Sequence, residues 1–548
     1  MRAVRIQYVV TLLALLMALP VLGVFASWVG AGQSSMAVLS HLFNTVMGEQ
    51  ARTSAWLALG VALGTLLVGG LSAAAIALLD FPGRKVLSWA LLLPLAMPAY
   101  VLAYVATDTL QFSGPLQTWW RQWQGQDAER LPDVRSLWGA VVLFVLCLYP
   151  YVYLLTRAAL AEQGVRLLEA ARLLGAGWRR QWLEVALPVA RPALMAGVAL
   201  ALMETLADYG VGSYFGLSTF TTGIYRAWLS MDDRQAAAQL ASLLLLVVAA
   251  LMGLELRARR GMRVSSARAS GVQADATRPR LSGWRGLGVA ALCSLPVWLG
   301  FVLPVGRLLQ LMWAEHLTGE FGLPWRDFLN WAMHSLFLAT GSAALAVALA
   351  LGLTHAARWH PGWHTRLATQ AIGLGYAVPG AVLAVGLLLP VGALQAWWPT
   401  EALGPAWRAW SPSAIVTGTV VGLVYAYLAR FSSVALQSVQ AGYAQISPSL
   451  DESARLLGRS PGAIWWQVHR PMLQRPALVA ALLVFVDVMK ELPATLVLRP
   501  FNTDTLAVVA YQLARDERLG EAALPSLAIV LVGLIPVIGL SRKVNQRR

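Results

Sequence analysis

Glu169-Ala-Ala-Arg-Leu-Leu-Gly175 and Glu452-Ser-Ala-Arg-Leu-Leu-Gly458 differ at one position and lie 283 residues apart in a chain of 548. The likeness continues at the same spacing through Trp182 and Trp465 and through Pro188 and Pro471. Arg191-Pro-Ala-Leu194 then returns, one residue late, as Arg475-Pro-Ala-Leu478. Upstream, Met97-Pro98 and Val378-Pro379 open similar segments 281 residues apart. Agreement over so long a stretch implies a duplicated chain of two homologous halves.

The sequence around these stretches is too apolar for a water-soluble domain. Hydrophobic residues make up 58% and charged residues 13%, with a mean hydropathy of +0.61, where soluble domains carry about a quarter charged residues. Twelve apolar runs have cores near 8–27, 54–79, 86–110, 138–156, 192–210, 236–256, 286–312, 333–355, 368–390, 413–429, 477–497 and 523–540. They reach bilayer length and lack the alternation of a membrane β-barrel, so helices are expected. Many of the 23 Trp lie near the ends of these runs, which suits the membrane interface. The first run follows Arg2 and Arg5 as a signal peptide would, but it is long for one. It is read as a retained helix, because the second half also begins with an extra span. Repeated halves are a common transporter plan.

The charge surplus of +15 is unevenly spread. With the N-terminus placed in the cytoplasm, the cytoplasmic segments hold 29 Lys and Arg and the outer segments 12, with Lys490 inside a span. That bias orients a membrane protein and removes the need for a nucleic-acid partner. Residues 257–285 carry eight arginines among Ser, Ala, Gly, Thr and Pro, and read as a basic cytoplasmic linker. The halves are then residues 1–256 and 286–548. Cys147 and Cys293 fall inside apolar runs and read as packing residues.

From Glu169 to Pro188 the spacing is Glu-Ala-Ala, three residues, Gly, nine residues, an aliphatic residue, one residue, Leu, Pro. The second copy keeps the spacing, with Ser453 for one Ala and Arg470 for the Leu. Ala170, Ala171 and Ala454 permit close helix approach, and Gly175 and Gly458 can end a helix with positive φ. Pro188 and Pro471 are expected to restart structure before the next span. This pattern resembles the EAA loop of ABC importer permeases, here within residues 158–191 and 431–475. The resemblance implies an all-α integral membrane protein of the type I importer fold, with about 12 transmembrane helices in two six-helix halves. It further implies that Glu169, Ala170, Ala171, Gly175, Pro188, Glu452, Ala454, Gly458 and Pro471 meet an ATPase and transmit its closure.

The chain has three lysines, none of them following a glycine, so it lacks a phosphate-binding Gly-Lys-Ser/Thr loop. It is therefore not expected to be an enzyme or to hold a cofactor. ATP and Mg belong to a separate ATPase subunit, expected as a pair. Glu204-Thr-Leu-Ala-Asp-Tyr-Gly210, Ser213-Tyr-Phe-Gly216, Thr219–Trp228, Asp487–Thr495 and Arg499-Pro-Phe-Asn502 resemble the ferric iron permeases of that superfamily. The resemblance covers nearly the whole chain. It implies a bacterial inner membrane permease, embedded in lipid, that receives ferric iron from a periplasmic binding protein. Permeases for thiamine and other small solutes share the EAA loops, and thiamine stays open as an alternative cargo.

Two carboxylate pairs occupy matching positions: Glu204 with Asp208, and Asp487 with Glu491. Each pair is four residues apart, on one helix face, and acidic groups within a span face a cavity or a partner. Oxygen donors suit a hard trivalent cation, so the four either line a substrate pathway or hold helices together with Lys490 as counter-ion. No residues are assigned as a fixed metal site. His355, His360 and His364 lie at a basic helix end and read as poor metal ligands. Arg226, Asp232, Asp233 and Arg234 form part of an outer loop that either docks a binding protein or is merely solvated. A secondary transporter would need no EAA loops, and a membrane enzyme would need a convergent acid, base or metal set that the sequence does not offer.

Reporter fusions test the predicted topology. Gly114, Ala274 and Ala402 should report outside, inside and outside respectively, and reversal at any of them contradicts the orientation.

Overall fold

The computed structural model describes residues 2–29, 33–125, 132–161, 165–267, 279–318, 322–398 and 410–546. Residues 268–278 of the expected linker, 162–164 of the first EAA loop, and the fusion sites Ala274 and Ala402 lie outside them. The chain is helical, and the isolated Asp80–Arg280 bridge is the one extended pairing among the described residues. Eleven of the described helices are long and apolar enough to cross a membrane, and a bent pair makes a twelfth. In hydrocarbon only such self-bonded backbones are viable.

The third span departs from the sequence expectation of one helix over 86–110. Arg84–Ala96 and Ala99–Gln124 meet at 92°. Pro98 causes the break: its ring fixes φ at −62°, and ψ of 139° takes the chain out of helix before Ala99–Leu110 begins. In the second half, Pro379 (φ −58°, ψ 142°) separates Trp363–Gly373 from Gly380–Trp397. The span expected over 368–390 therefore lies further along the chain, over Gly380–Trp397. The run expected over 477–497 likewise ends at Met489.

Contacts divide the chain into two compact units that are not the two halves of the sequence. One unit comprises Met1–Leu39, Ile224–Ser242 and Trp325–Val509. The other comprises Ser40–Gly223, Leu243–Pro324 and Ala510–Arg548. The N-terminal helix of the first half thus belongs with the core of the second. The first span of the second half, Gly283–Leu317, belongs with the core of the first.

Small residues make each unit close-packed. In the second unit, Met47–Leu78 lies against Leu137–Ala159. A Cβ at Gly60 or Gly64 would come within 2.8 Å of Val141 or 2.3 Å of Val145. In the first unit, Arg2–Ala26 crosses Gly380–Trp397 where Gly23 and Gly386 meet. A Cβ on Gly386 would stand 2.0 Å from the Pro20 carbonyl oxygen. Such crossings drive helix association where lipid removes the hydrophobic contrast. Thr11 Oγ1 also lies 2.9 Å from His364 Nδ1, and Trp28 Nε1 donates to Ser242 Oγ at 2.9 Å.

Gly386→Leu should therefore unseat the N-terminal helix at a cost of about 1–3 kcal/mol or more, the usual scale of overpacking. The variant should insert, show a lower unfolding midpoint in detergent, and expose its first helix to protease. Unchanged values for both would contradict this crossing.

Candidate functional site

The two EAA loops fold alike. Val165–Leu173 and Pro448–Leu456 are short helices, each followed two residues later by a glycine at positive φ: 77° at Gly175 and 73° at Gly458. Gly175 donates to the Arg172 carbonyl and Ala176 to the Ala171 carbonyl, both at 2.9 Å. Gly458 donates to Arg455 at 2.9 Å and Arg459 to Ala454 at 3.1 Å. Paired bonds of this register form the Schellman motif, which needs a left-handed residue and favours glycine. In the first copy, Arg172 Nε donates to Gln181 Oε1 at 3.1 Å, and Gln181 Nε2 donates to the Ala176 carbonyl at 2.7 Å. Those bonds fix the angle of the turn. Glu169 is half-buried and Glu452 exposed.

Each turn presents two leucines to solvent: Leu173 and Leu174 at 90% and 87% exposure, Leu456 and Leu457 at 89% and 81%. Each turn thus carries an exposed apolar pair at matching positions of the repeat. The sequence reading passed over them, although both copies carry the Leu-Leu pair directly before the glycine.

Pro188 and Pro471 do not restart structure, as the sequence reading expected. Each sits inside a continuous helix just after a π-helical turn, Gln181–Ala186 and Trp465–His469. Leu187 donates back five residues to Trp182, and Arg470 to Trp465. The wider turn accommodates the proline ring and its missing N–H. The EAA loops therefore continue into Gln181–Ala207 and Pro461–Met489.

Both of those helices stop where a carboxylate takes over their hydrogen bonding. In the second unit, Asp208 Oδ1 accepts from the Val211 N–H at 2.8 Å and starts the short helix Gly210–Tyr214. In the first unit, Glu491 is 5% exposed and starts Pro493–Leu498. It accepts from the Ala494 N–H at 2.9 Å, the Thr495 N–H at 3.0 Å, Thr495 Oγ1 at 2.5 Å and Arg430 Nη1 at 3.2 Å. One turn earlier, Glu204 and Asp487 are half-buried, and Asp487 Oδ1 lies 3.0 Å from Lys490 Nζ. Each unit thus brings its own pair to one helix end.

Beyond each break the repeat persists. Ser54 Oγ accepts from the Phe220 N–H at 3.1 Å, and Ser335 Oγ from the Leu506 N–H at 2.8 Å. The connecting loop is three residues longer in the second half. It is closed by an Arg499–Asp504 ion pair, and its tip residue Phe501 is 94% exposed. Burial holds the Arg499 guanidinium below its ordinary pKa.

The other candidates take structural places. Asp233 caps the Arg234–Ala267 helix by accepting from Ala236 at 2.9 Å, Asp232 adopts a φ of 52°, and Arg226 is exposed. His364 sits beside Thr11, whereas the His355 ring meets Trp465 edge-on at 4.9 Å. Among the described residues no group of three or more His, Cys, Asp or Glu is arranged to hold a metal ion. A polar cavity of about 390 Å³ in the second unit, not foreseen from the sequence, has a lining that includes Asp108, Arg135, Tyr214, Glu315, Glu517 and Arg518. Arg307 Nε donates to Asp108 Oδ2 at 2.5 Å at its edge.

Comparison with known proteins agrees with this architecture. Residues 64–263 match the family described as binding-protein-dependent transport system inner membrane component. The chain is 24% identical to the Fe(3+)-transport system permease protein FbpB 2 of Haemophilus influenzae, over 98% of this chain and 99% of that one. It is 23% identical to the Probable ABC transporter permease protein y4fN of Sinorhizobium fredii, over 94% and 89% of the two chains. The Molybdenum transport system permease protein ModB of Escherichia coli is 31% identical over 24% of this chain and 55% of its own. Residues 64–263 thus resemble the inner membrane component of binding-protein-dependent transport systems, and the chain is an all-α, multi-pass inner membrane protein similar over its full length to permease proteins of such systems.

Proposed function

We propose that the chain is the translocation subunit of an ATP-driven importer of ferric iron. Iron would arrive on a periplasmic binding protein, and a separate ATPase pair would dock on the two EAA loops from the cytoplasm. The observation that carries the coupling role is the duplicated glycine turn with its exposed leucine pair, continuous with a membrane helix. At about 1.5 Å per residue, the 27 residues of Gln181–Ala207 carry a push about 40 Å from the loop to the Asp208 break. Helix Pro461–Met489 does the same toward Glu491. The break is where a rigid helix gives way to a short re-aimed one, so it can convert a push into a rearrangement of the pathway wall.

Iron is favoured by the full-length similarity to a ferric permease and by the carboxylate pairs, since hard cations take oxygen donors. Within each pair we infer a division of roles. Asp208 and Glu491 hold the break together. Glu204 and Asp487, half-buried one turn below, are better placed to face cargo. Thiamine is the competing cargo, because an organic cation would also be drawn by carboxylates.

Three outcomes are expected. A Cβ at Gly175 or Gly458 would meet no atom within 4 Å, so the main cost of Gly175→Val or Gly458→Val is backbone strain of about 1–2 kcal/mol at the left-handed turn, which should displace the turn and lower transport. Both variants should still insert, and normal uptake with normal ATPase association would remove the loops from the coupling path. Proteoliposomes with the ATPase and a loaded binding protein should take up radioactive iron on ATP addition. Uptake of thiamine instead would overturn the iron assignment alone. Glu491→Ala should cost about 3–5 kcal/mol of stability by removing the buried carboxylate that pairs with Arg430, whereas Glu204→Gln and Asp487→Asn should fold normally and lose iron uptake. Full uptake by the latter two would place the pathway elsewhere.

A further inference from the structure

At the root of the first EAA loop, where Met47–Leu78 and Leu187–Ala207 converge, five side chains share one apolar cluster: Ala74, Ala77, Leu160, Leu168 and Ala186, none more than 6% exposed. The repeat assigns each a counterpart. The 281-residue offset that pairs Ser54 with Ser335 and Pro98 with Pro379 pairs Ala74 with His355 and Ala77 with Arg358. The 283-residue offset of the EAA motif pairs Leu160 with Tyr443, Leu168 with Asp451 and Ala186 with His469. All five apolar positions of the first half are polar or ionisable in the second.

Those five make a connected network. Asp451, in the first turn of Pro448–Leu456, is 7% exposed, and His469 is fully buried. Asp451 Oδ1 is bonded to His469 Nε2 at 2.7 Å, and Oδ2 accepts from Arg358 Nε at 2.8 Å. Arg358 Nη2 donates to the Ile446 carbonyl at 3.1 Å, just ahead of the loop helix. The Tyr443 hydroxyl lies 3.4 Å from both His469 Nδ1 and His355 Nδ1. Arg455, on the loop helix, stacks its guanidinium 4.3 Å over the Trp359 ring. Burial raises the Asp451 pKa, but hydrogen bonds and charge from His469 and Arg358 outweigh it and hold the carboxyl below its ordinary value. Asp451 is therefore ionised throughout the neutral range.

We propose that Arg358, Asp451 and His469, with Tyr443 and His355 beside them, are positioning residues that clasp the second EAA loop to the end of Trp325–Trp359. The inference rests on the coupling role of the loops. Apolar packing of the first kind is non-directional and lets one surface slide over another. A buried, geometrically fixed ion network holds one arrangement, and loss of one partner strands the others. The second loop accordingly moves as one body with Trp325–Trp359, while the first can shift on its apolar bed. The two coupling loops are inequivalent, and a pair of identical ATPase subunits would drive one rigid lever and one compliant one.

The test measures iron delivered by the binding protein per ATP hydrolysed in proteoliposomes, normalised to folded permease. Asp451→Asn and Arg358→Lys should lower that ratio about fivefold, a usual size for a coupling residue. The lysine fails despite its charge, because it cannot span Asp451 and the Ile446 carbonyl as the guanidinium does. A variant carrying His355→Ala, Arg358→Ala, Tyr443→Leu, Asp451→Leu and His469→Ala together adopts the packing of the first half. It should fold, as the first half does, yet keep a lowered ratio, because an apolar bed lets the second loop slide. Single variants that lose only folded protein and keep the wild-type ratio would overturn the proposal, and so would a five-residue variant that folds and couples as well as the wild type. Gly458→Val is measured in parallel. If it too keeps the wild-type ratio, the coupling role of the loop has failed; if it alone uncouples, the clasp has failed.

Discussion

A backbone inside hydrocarbon has no water to satisfy its N–H and C=O groups, so every interruption of a helix must be satisfied by the protein itself. The interruptions in this permease follow that requirement. At Asp208 and at Glu491 a helix ends within the apolar part of the chain, and a carboxylate receives the N–H groups of the helix that restarts. Around Pro188 and Pro471 the lost N–H is absorbed by a π turn rather than by a break. The continuous segments between these points are the rigid parts, and the capped breaks are where the chain changes direction.

Duplication supplied the plan twice, and the copies have diverged where their neighbours differ. The serine that bonds the chain after the break is kept as Ser54 and Ser335, and the glycine turn is kept as Gly175 and Gly458. The packing under the EAA loops has changed from Leu168 and Ala186 to Asp451 and His469. The carboxylate at the break accepts from the Val211 N–H in one half and from the Ala494 and Thr495 N–H groups, Thr495 Oγ1 and Arg430 in the other. A fused chain permits this, since each half can specialise without altering the other.

Features that depend on local backbone chemistry were legible in the sequence. A helix ending in a left-handed residue needs glycine, so Gly175 and Gly458 could be placed from spacing alone, and apolar runs of bilayer length gave the helices. Features that depend on partners distant in sequence were not. Pro98 and Pro379 lie inside runs whose hydropathy never falters, so the breaks there were hidden. Asp208 and Glu491 looked like their neighbours Glu204 and Asp487 until the restarting helices claimed them. Arg358, Asp451 and His469 are separated by up to 111 residues of sequence and meet only through the fold. The exchange of Arg2–Ala26 into the unit of the second half likewise leaves no mark in composition.

In the proposed coupling, both EAA turns, at their exposed leucines, are the surfaces an ATPase would grip. A photo-crosslinking side chain at Leu174 or Leu457, in membranes containing the ATPase, tests it most directly. The account predicts a cross-link to the ATPase from each position, with yields that change between nucleotide-free and ATP-bound states. Permease that inserts normally and captures no ATPase from either position would contradict it.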